Sequence, residues 1–308
     1  MTLDVLAETD DNFYVFEPIS VLTEQTNAKI GVEFVNGTSR LIDKQKDLPG
    51  LQAEMLLNWF NCDFTRLNTG DLKSTNLMHH SRATRNFYGC QHLAGVHPCI
   101  KVLKSVCIPK PRRILKVVRL RMGTVENILK RSSKIKIIYL VRDPRAMIHS
   151  LVKSKLLDPL KIQEKAQELC DDMIRDIDSI KKLKTKYRSN IFVLKYEAIV
   201  ASPLTVFKKV FAFANLPMTE KVQSYINRTL MGITVPGGSP WRTKSGNALK
   251  IANAWRTLIY GEELDLIDIE CPEVYHSFGY APLDGVSLQI TNFSLQIAPS
   301  VKNVFDIY

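Results

Sequence analysis

Residues 137–150 read IIYLVRDPRAMIHS and establish the architecture of this chain. Ile137–Val141 is a short apolar run, typical of a strand inside a parallel sheet. Arg142 then lies at the carboxyl end of that strand. Asp143 can cap a helix that Pro144 begins, because the φ of proline suits a first helical turn. The sequence therefore predicts a strand, a tight turn and a helix. This places a guanidinium and helix-terminal N–H groups at the sheet edge, where open α/β folds bind ligands.

The turn has a ligand-binding interpretation and a structural one. In the first, Arg142 binds an anion that the helix dipole also favours. Ser150 follows about two helical turns later, within reach of a second oxygen of the same anion. In the second, the arginine and the aspartate of the turn form an ordinary surface ion pair.

Strands and helices alternate around this turn. Residues 113–120 read as a strand that Gly123 ends, and Thr124 can cap the helix that follows. A strand from Ile135 completes a βαβ unit with parallel pairing. Further along, the periodicity predicts a long amphipathic helix over 159–186, a strand at 191–194, and helices over 203–215, 219–229 and about 248–258. The sequence thus predicts an α/β fold.

Composition limits the size and the partners of the protein. The chain has 308 residues, of which 45% are hydrophobic and 24% charged, enough for one large α/β domain or two small ones. Its formal charge of +11 favours anionic partners. Residues 101–155 contain sixteen Lys or Arg against only Glu126 and Asp143, which predicts a positive rim around an anion site. No helix-turn-helix, zinc-finger or RNP-type pattern supports a nucleic-acid partner. No apolar run is long enough to span a bilayer, and no signal peptide is recognised.

Six cysteines leave the redox compartment open. They form no Cys-x-x-Cys pair, which disfavours a zinc ribbon or a thioredoxin-type site. An even number suits disulfides in an oxidising lumen, where three sequons, at Asn36, Asn227 and Asn292, would be compatible with glycosylation. Six buried free thiols in a cytosolic protein are the alternative.

Short motifs along the chain resemble one enzyme family. In order, they are FYVFEP at 13–18, the Arg142 turn, residues 170–176, LKYE at 194–197, AWR at 254–256, and residues 271–280. Their order and spacing resemble the Golgi carbohydrate 6-O-sulfotransferases. The resemblance implies a P-loop-NTPase-like sulfotransferase fold, with a central parallel sheet flanked by helices. We expect this domain to occupy residues 1–280, with 281–308 as an unassigned tail.

The resemblance also implies a reaction and a location. It implies transfer of a sulfuryl group from 3′-phosphoadenosine 5′-phosphosulfate to a sugar hydroxyl, at C6, of a keratan- or chondroitin-like chain or an N- or O-linked glycan. No metal takes part in this expectation. The implied compartment is the Golgi lumen or membrane.

Four residues receive roles from the resemblance. Arg142 and Ser150 would hold the 3′-phosphate, Tyr196 would pack against the adenine, and Glu17 would be the general base. From the residues alone, a solvent-facing glutamate at a strand end is the favoured interpretation of Glu17. A core or rim tyrosine is as open as an adenine contact for Tyr196. Residues 242–245 are weaker candidates for phosphate or acceptor contacts. Residues 20–47 would form an insertion carrying acceptor contacts.

One family feature is missing from the sequence. Relatives carry a Gly/Ser-rich loop of the type Arg-Ser-Gly-Ser-Ser upstream of the Phe-Glu-Pro motif, and its N–H groups cradle the 5′-phosphosulfate. Here only twelve residues precede Phe13. No Gly-x-x-x-x-Gly-Lys-Ser/Thr loop occurs elsewhere, which disfavours a P-loop kinase. We therefore expect either an N-terminally truncated chain, whose missing part would hold the membrane anchor, or an inactive glycan- or nucleotide-binding relative.

Overall fold

The computed structural model describes residues 2–9, 11–25, 27–75, 77, 81–230, 248–259 and 261–281. The chain divides into two compact units. One is formed by Thr2–Ile135 and the other by the chain from Lys136 onward.

The first unit combines a parallel strand pair with a hairpin and helices. Its strands are β1 (Asn12–Phe16), β2 (Lys29–Glu33), β3 (Ser39–Asp43) and β4 (Arg112–Lys116). β1 and β4 pair in parallel, with Phe13 opposite Arg113, while β2 and β3 are antiparallel. Its helices are α1 (Thr2–Ala7), α2 (Ser20–Thr23), α3 (Leu48–Phe60), α4 (Thr69–Leu72), α5 (Arg85–Ala94), α6 (Val96–Cys107) and α7 (Met122–Arg131), with 3₁₀ turns at Phe64–Arg66 and Arg82–Thr84.

Aromatic rings fill the centre of this unit. Phe13 of β1, Trp59 of α3 and Phe64 are completely buried, and the Trp59 and Phe64 rings meet edge to face at 5.2 Å. Such packing adds to the hydrophobic stabilisation of burying three large side chains. Two disulfides, Cys62–Cys107 and Cys90–Cys99, cross-link the same unit.

The second unit is built around another parallel pair. β5 (Ile137–Val141) and β6 (Ile191–Lys195) pair with Val141 opposite Lys195. The helices are α8 (Pro144–Lys153), α9 (Ile162–Tyr187), α10 (Tyr196–Ala201), α11 (Pro203–Phe213), α12 (Glu220–Leu230), α13 (Ala248–Asn253), α14 (Gly261–Glu270) and α15 (Pro272–Phe278), with 3₁₀ turns at Pro159–Lys161, Arg188–Asn190 and Ala254–Thr257. α9 buries one face against α8, α14 and α15. The disulfide Cys170–Cys271 joins α9 to the residue that precedes α15.

The elements agree with most of the predicted pattern. Two strand pairs, β1 with β4 and β5 with β6, are parallel, and the long helix begins at Ile162 after a 3₁₀ turn. The pairing of β4 with β5 in one βαβ unit stays a prediction. All six cysteines form disulfides, so the expected disulfides are confirmed and the alternative of six free thiols is wrong. The boundary predicted at Gly123 is wrong, because β4 ends at Lys116 and α7 already begins at Met122. Thr124 does not cap α7 but lies buried within its first turn.

Some predictions concern residues outside the described ranges. These are the loop at 236–245, including the candidates at 242–245, the sequon at Asn292, and the tail beyond Ala281. Within the described ranges, no helix combines the length and the apolar character needed to cross a bilayer. The same residues contain no group of three His, Cys, Asp or Glu side chains placed to hold a metal ion.

Candidate active site

The turn between β5 and α8 has the predicted form. β5 ends at Val141, Pro144 is the first helical residue, and Asp143 is the N-cap. The Asp143 Oδ1 accepts a hydrogen bond of 3.0 Å from the Arg145 backbone N–H. The proline fixes the first helical φ and the aspartate satisfies an N–H group that the helix leaves free.

Asp143 forms its ion pair with Arg145, and not with Arg142. Its Nε donates to Asp143 Oδ1 at 3.0 Å and its Nη2 donates to Oδ2 at 2.8 Å. Both side chains are essentially completely buried. The ion pair of the turn is therefore buried and held by two hydrogen bonds, and its arginine is Arg145 in place of Arg142.

Arg142 is left available for another partner. Its guanidinium lies over the Tyr196 ring, 4.7 Å from the ring centroid. Its buried Nε has no hydrogen-bond partner among the described residues. Burial raises the pKa of Tyr196, against the opposing effect of the Arg142 charge, so the ring stays neutral and can stack under the cation. The structure thus brings Arg142 and Tyr196, two of the four candidate residues, into contact. The Tyr196 ring fixes the direction of the Arg142 guanidinium.

The helix-terminal N–H groups expected to help bind an anion are largely occupied. The Asp143 N–H donates to Glu197 Oε1 at 3.0 Å, and the Arg145 N–H donates to Asp143. Pro144 has no N–H. These two N–H groups are therefore engaged within the protein, and the Arg142 guanidinium is the cationic donor that remains at this turn. Ser150 lies on the exposed side of α8.

A cluster of buried polar side chains contacts the turn through Glu197. Glu197, the residue after Tyr196, also accepts from the Tyr280 hydroxyl at 3.2 Å. Lys195 donates to the Phe278 carbonyl at 2.8 Å and lies 4.3 Å from the centroid of the Tyr280 ring. Burial raises the pKa of Glu197 and lowers that of Lys195, since neither charge is well solvated.

These contacts explain two of the short motifs found in the sequence. LKYE at 194–197 and the segment 271–280 touch each other through Lys195 and Glu197. Arg145 adds a hydrogen bond of 3.1 Å to the Ala281 carbonyl, and its guanidinium lies 4.4 Å from the Tyr275 ring centroid. Sequence reasoning missed Arg145 and Glu197. Their position within recognised motifs was the available signal, but charge pairing between distant motifs needs the fold.

Glu17 belongs to the first unit, at the end of β1. It is buried, with 3% of its surface exposed, and its φ of +50° lies in the left-handed region that non-glycine residues seldom adopt. The alternative of a solvent-facing glutamate is therefore wrong. Its backbone N–H donates to the Lys116 carbonyl at 2.7 Å. Strand pairing and a strained backbone together aim the carboxyl group inward.

The Glu17 carboxylate has two donors. The Val118 backbone N–H donates to Oε1, and Arg119 Nη1 lies 3.5 Å from Oε2. Burial raises the pKa of Glu17, and it outweighs the lowering effects of the Val118 hydrogen bond and of the charges on Arg119 and Lys116. A carboxyl group with a raised pKa is a stronger base than an exposed one, which is the property that proton abstraction needs.

The first unit also contains a groove of about 410 Å³. It runs between α2 and the β2–β3 hairpin, and Gln25, Glu33, Arg40 and Asn68 are among its polar lining residues. Most of its lining residues belong to the segment 20–47 expected to carry acceptor contacts, and Asn68 and Gly70 complete the lining. That role remains a prediction.

A family match defines the class of protein. The family model described as Sulfotransferase domain matches residues 68–231, more than half of the chain, and the chain belongs to this family. The predicted α/β sulfotransferase fold is confirmed by this match together with the two parallel strand pairs.

The similar curated proteins are carbohydrate sulfotransferases, which confirms the resemblance found in the sequence. Mouse carbohydrate sulfotransferase 4 is 24% identical over 230 residues, covering 68% of this chain and 58% of that protein. Human carbohydrate sulfotransferase 6 is 25% identical over 175 residues, covering 48% of this chain and 42% of that protein. For mouse carbohydrate sulfotransferase 3, the values are 24% over 210 residues, 63% and 44%. The chain thus spans about half the length of the curated relatives it matches.

Two solved structures are also similar. The sulfotransferase domain from the curacin biosynthetic pathway has a TM-score of 0.40 and 14% identity, covering 64% of this chain and 78% of that one. Sulfotransferase STF9 from Mycobacterium avium has a TM-score of 0.33 and 18% identity, covering 63% of this chain and 50% of that one.

Proposed function

We propose that this protein transfers a sulfuryl group from 3′-phosphoadenosine 5′-phosphosulfate to a sugar hydroxyl, at C6, of a glycan. The acceptor oxygen loses its proton and forms a bond to sulfur, while the bond between sulfur and the 5′-phosphate oxygen breaks. The products are a sugar sulfate and adenosine 3′,5′-bisphosphate. The buried Glu17 carboxyl group at the end of β1, in a chain of the sulfotransferase family, is the observation that carries this proposal.

Glu17 acts in this proposal as the general base. Its burial favours proton uptake, and the Val118 N–H and Arg119 fix the direction of its oxygens. A base must be both ionised at working pH and basic enough to accept a proton, and burial makes the Glu17 carboxylate more basic than an exposed one. The left-handed backbone at Glu17 adds to the case, since strain of this kind is concentrated at functional sites.

Arg142, Tyr196 and Ser150 hold the nucleotide in this proposal. The free Nε of Arg142 and the planar fork of its guanidinium fit a phosphate, and the exposed Ser150 hydroxyl can donate to another phosphate oxygen. Tyr196, stacked on Arg142, offers a ring of the kind that packs against adenine. No resident metal is part of this proposal.

Charge and cysteine chemistry support the proposed acceptor and compartment. A net charge of +11 suits an anionic donor and an anionic glycan, such as a keratan- or chondroitin-like chain. Three disulfides suit an oxidising lumen, here the Golgi lumen. The sequon asparagines Asn36 and Asn227 are exposed, as glycosylation would require.

Replacing Glu17 tests the proposal. With 3′-phosphoadenosine 5′-[³⁵S]phosphosulfate as donor and desulfated keratan or chondroitin as acceptors, Glu17→Gln should lower the transfer rate by about 10²–10⁴-fold. The affinity for adenosine 3′,5′-bisphosphate should stay unchanged, because the side chain keeps its size and loses only its basicity. Glu126→Gln, which alters an exposed carboxylate of the same unit paired with Lys130, is the matched control.

The alternatives give different results in this experiment. Undiminished transfer by Glu17→Gln would reject the base. If the unmodified protein binds the nucleotide but transfers sulfate to none of these glycans, the non-catalytic binding relative becomes the better interpretation.

A further inference from the structure

The segment after β4 encloses the Glu17 carboxyl group from one side. The Lys116 carbonyl accepts from the Glu17 N–H at 2.7 Å, and the Val118 N–H donates to Oε1. Arg119 Nη1 lies 3.5 Å from Oε2. Three residues at the end of β4 and just after it, Lys116, Val118 and Arg119, therefore supply these polar contacts of Glu17. Of these contacts, the Arg119 side chain alone brings a charge.

Arg119 is shared between two carboxylates. While Nη1 faces Glu17, Nη2 lies 3.1 Å from Glu24 Oε1. Glu24 directly follows α2, and its side chain is 52% exposed, whereas that of Glu17 is 3% exposed. The Arg119 side chain, 50% exposed, thus extends from solvent to the buried carboxyl group. Because a guanidinium is a rigid planar fork, a partner on its outer edge also fixes the direction of its inner edge.

We propose that Arg119 is the positioning residue of Glu17, orienting the carboxyl group and favouring its ionised form while Glu24 anchors the guanidinium from outside. This inference rests on the proposed role of Glu17 as the base. Burial by itself would favour the protonated carboxyl, which cannot accept a proton. A cation at 3.5 Å opposes that effect.

Other charged groups near Glu17 are less suited to this role. Lys116 is the second cation acting on it, but its Nζ lies over the Phe16 ring, 4.6 Å from the centroid. Glu24 is the nearby anion, and it raises the pKa of Glu17. Of these three groups, Arg119 is the one that touches the carboxyl oxygens. Losing its charge should therefore shift the Glu17 equilibrium toward the protonated form.

The variant Arg119→Met tests the inference, because it keeps an unbranched apolar side chain and removes the charged guanidinium. The acidic limb of the pH profile of kcat should move upward by on the order of one pH unit. The KM for the donor and the affinity for adenosine 3′,5′-bisphosphate should change by less than about threefold, since positioning acts on the base and not on the nucleotide. Arg119→Lys should restore most of the original profile.

A control variant tests whether the effect is specific to Arg119, and a second readout does not depend on turnover. Lys130→Met breaks an exposed pair with Glu126 at 2.8 Å and should leave the profile in place. The Glu17 carboxyl carbon, followed by ¹³C NMR in protein labelled on glutamate, should titrate at higher pH in Arg119→Met than in the unmodified protein. This signal reports on the carboxyl group even without substrate.

Three results would overturn the inference, and they point to different causes. If Glu17→Gln abolishes transfer but neither the profile nor the NMR titration moves in Arg119→Met, the base stands and Arg119 does not position it. If Arg119→Met instead weakens donor binding at an unchanged profile, Arg119 is a donor contact. If Glu17→Gln keeps full activity, the proposed base and this inference fail together.

Discussion

Arg142 owes its availability to the residue three positions later. Arg145 occupies both oxygens of Asp143, and Arg142 lies on the Tyr196 ring with no carboxylate partner in the part of the chain that the structure describes. A guanidinium with an unsatisfied Nε is costly to bury without a partner, and a bound phosphate would supply one. Arg145 therefore has a structural role in the turn, and the binding role is proposed for Arg142.

Removing the Arg142 side chain should weaken nucleotide binding. A charged hydrogen-bonding pair contributes about 1.5–3 kcal/mol, so Arg142→Ala should raise the Kd for adenosine 3′,5′-bisphosphate by roughly ten- to a hundredfold. Isothermal titration calorimetry measures this directly. Lys153→Ala removes an equal charge from the exposed end of the same helix and should change the Kd far less. Equal affinities for Arg142→Ala and the unmodified protein would reject the assignment.

At the scale of elements, strand register explains why two distant residues meet. Val141 pairs with Lys195 at the ends of β5 and β6, so the next residues, Arg142 and Tyr196, leave the pair side by side. The sequence predicts both strands and both residues, and parallel pairing makes their proximity derivable. The Asp143–Arg145 pair could not be derived, since residues two apart on a helix do not face each other and only the N-cap geometry unites them.

Asp71 fixes the short helix that follows Glu17. Its Oδ1 accepts from the Val21 and Leu22 N–H groups at 2.8 and 3.1 Å, and its Oδ2 accepts from Asn68 at 3.0 Å. Thus α4 caps α2, a helix too short to be stable alone. Desolvation dominates over these hydrogen bonds and raises the pKa of Asp71 to about 7.

This buried carboxyl group should make stability depend on pH. Between about pH 4 and 7 the folded protein keeps the Asp71 proton and the unfolded chain has lost it, so the free energy of unfolding falls as pH rises. The slope from this group approaches about 1.4 kcal/mol per pH unit and ends above pH 7. Urea unfolding at pH 5, 6 and 7 should show a shallower slope in Asp71→Asn. Parallel slopes in the two proteins would contradict the shift.

At the scale of the whole molecule, each unit carries its own cross-links. Cys62–Cys107 and Cys90–Cys99 lie within residues 2–135, and Cys170–Cys271 lies within the second unit. The cysteine count predicts disulfides, but it leaves fifteen possible pairings. The pairing depends on which helices pack together, and the sequence pattern does not specify that. The single domain expected over 1–280 remains a prediction.

The three bridges should differ in what they contribute. Cys170–Cys271 closes a separation of 101 residues and Cys90–Cys99 closes one of 9. From loop entropy, removing the longer bridge as Cys170→Ala/Cys271→Ala should cost about 2 kcal/mol more than Cys90→Ala/Cys99→Ala. Denaturant unfolding gives the two losses, and hydrogen exchange at α9 and α15 should show that the longer bridge acts there. An equal or smaller loss for the longer bridge would contradict the entropic account.

The separation of 101 residues between Cys170 and Cys271 also has a consequence for the order of synthesis. At about 5–20 residues per second, Cys170 is synthesised roughly 5–20 s before Cys271. During that interval the four earlier cysteines can already pair with one another. The contact partners of Arg145 and Lys195 are also synthesised late, since they are Tyr275, Phe278 and Ala281. The turn that holds Arg142 therefore gains its buried support only when translation has passed residue 281, and a nascent chain stopped earlier carries the arginine without the scaffold that aims it.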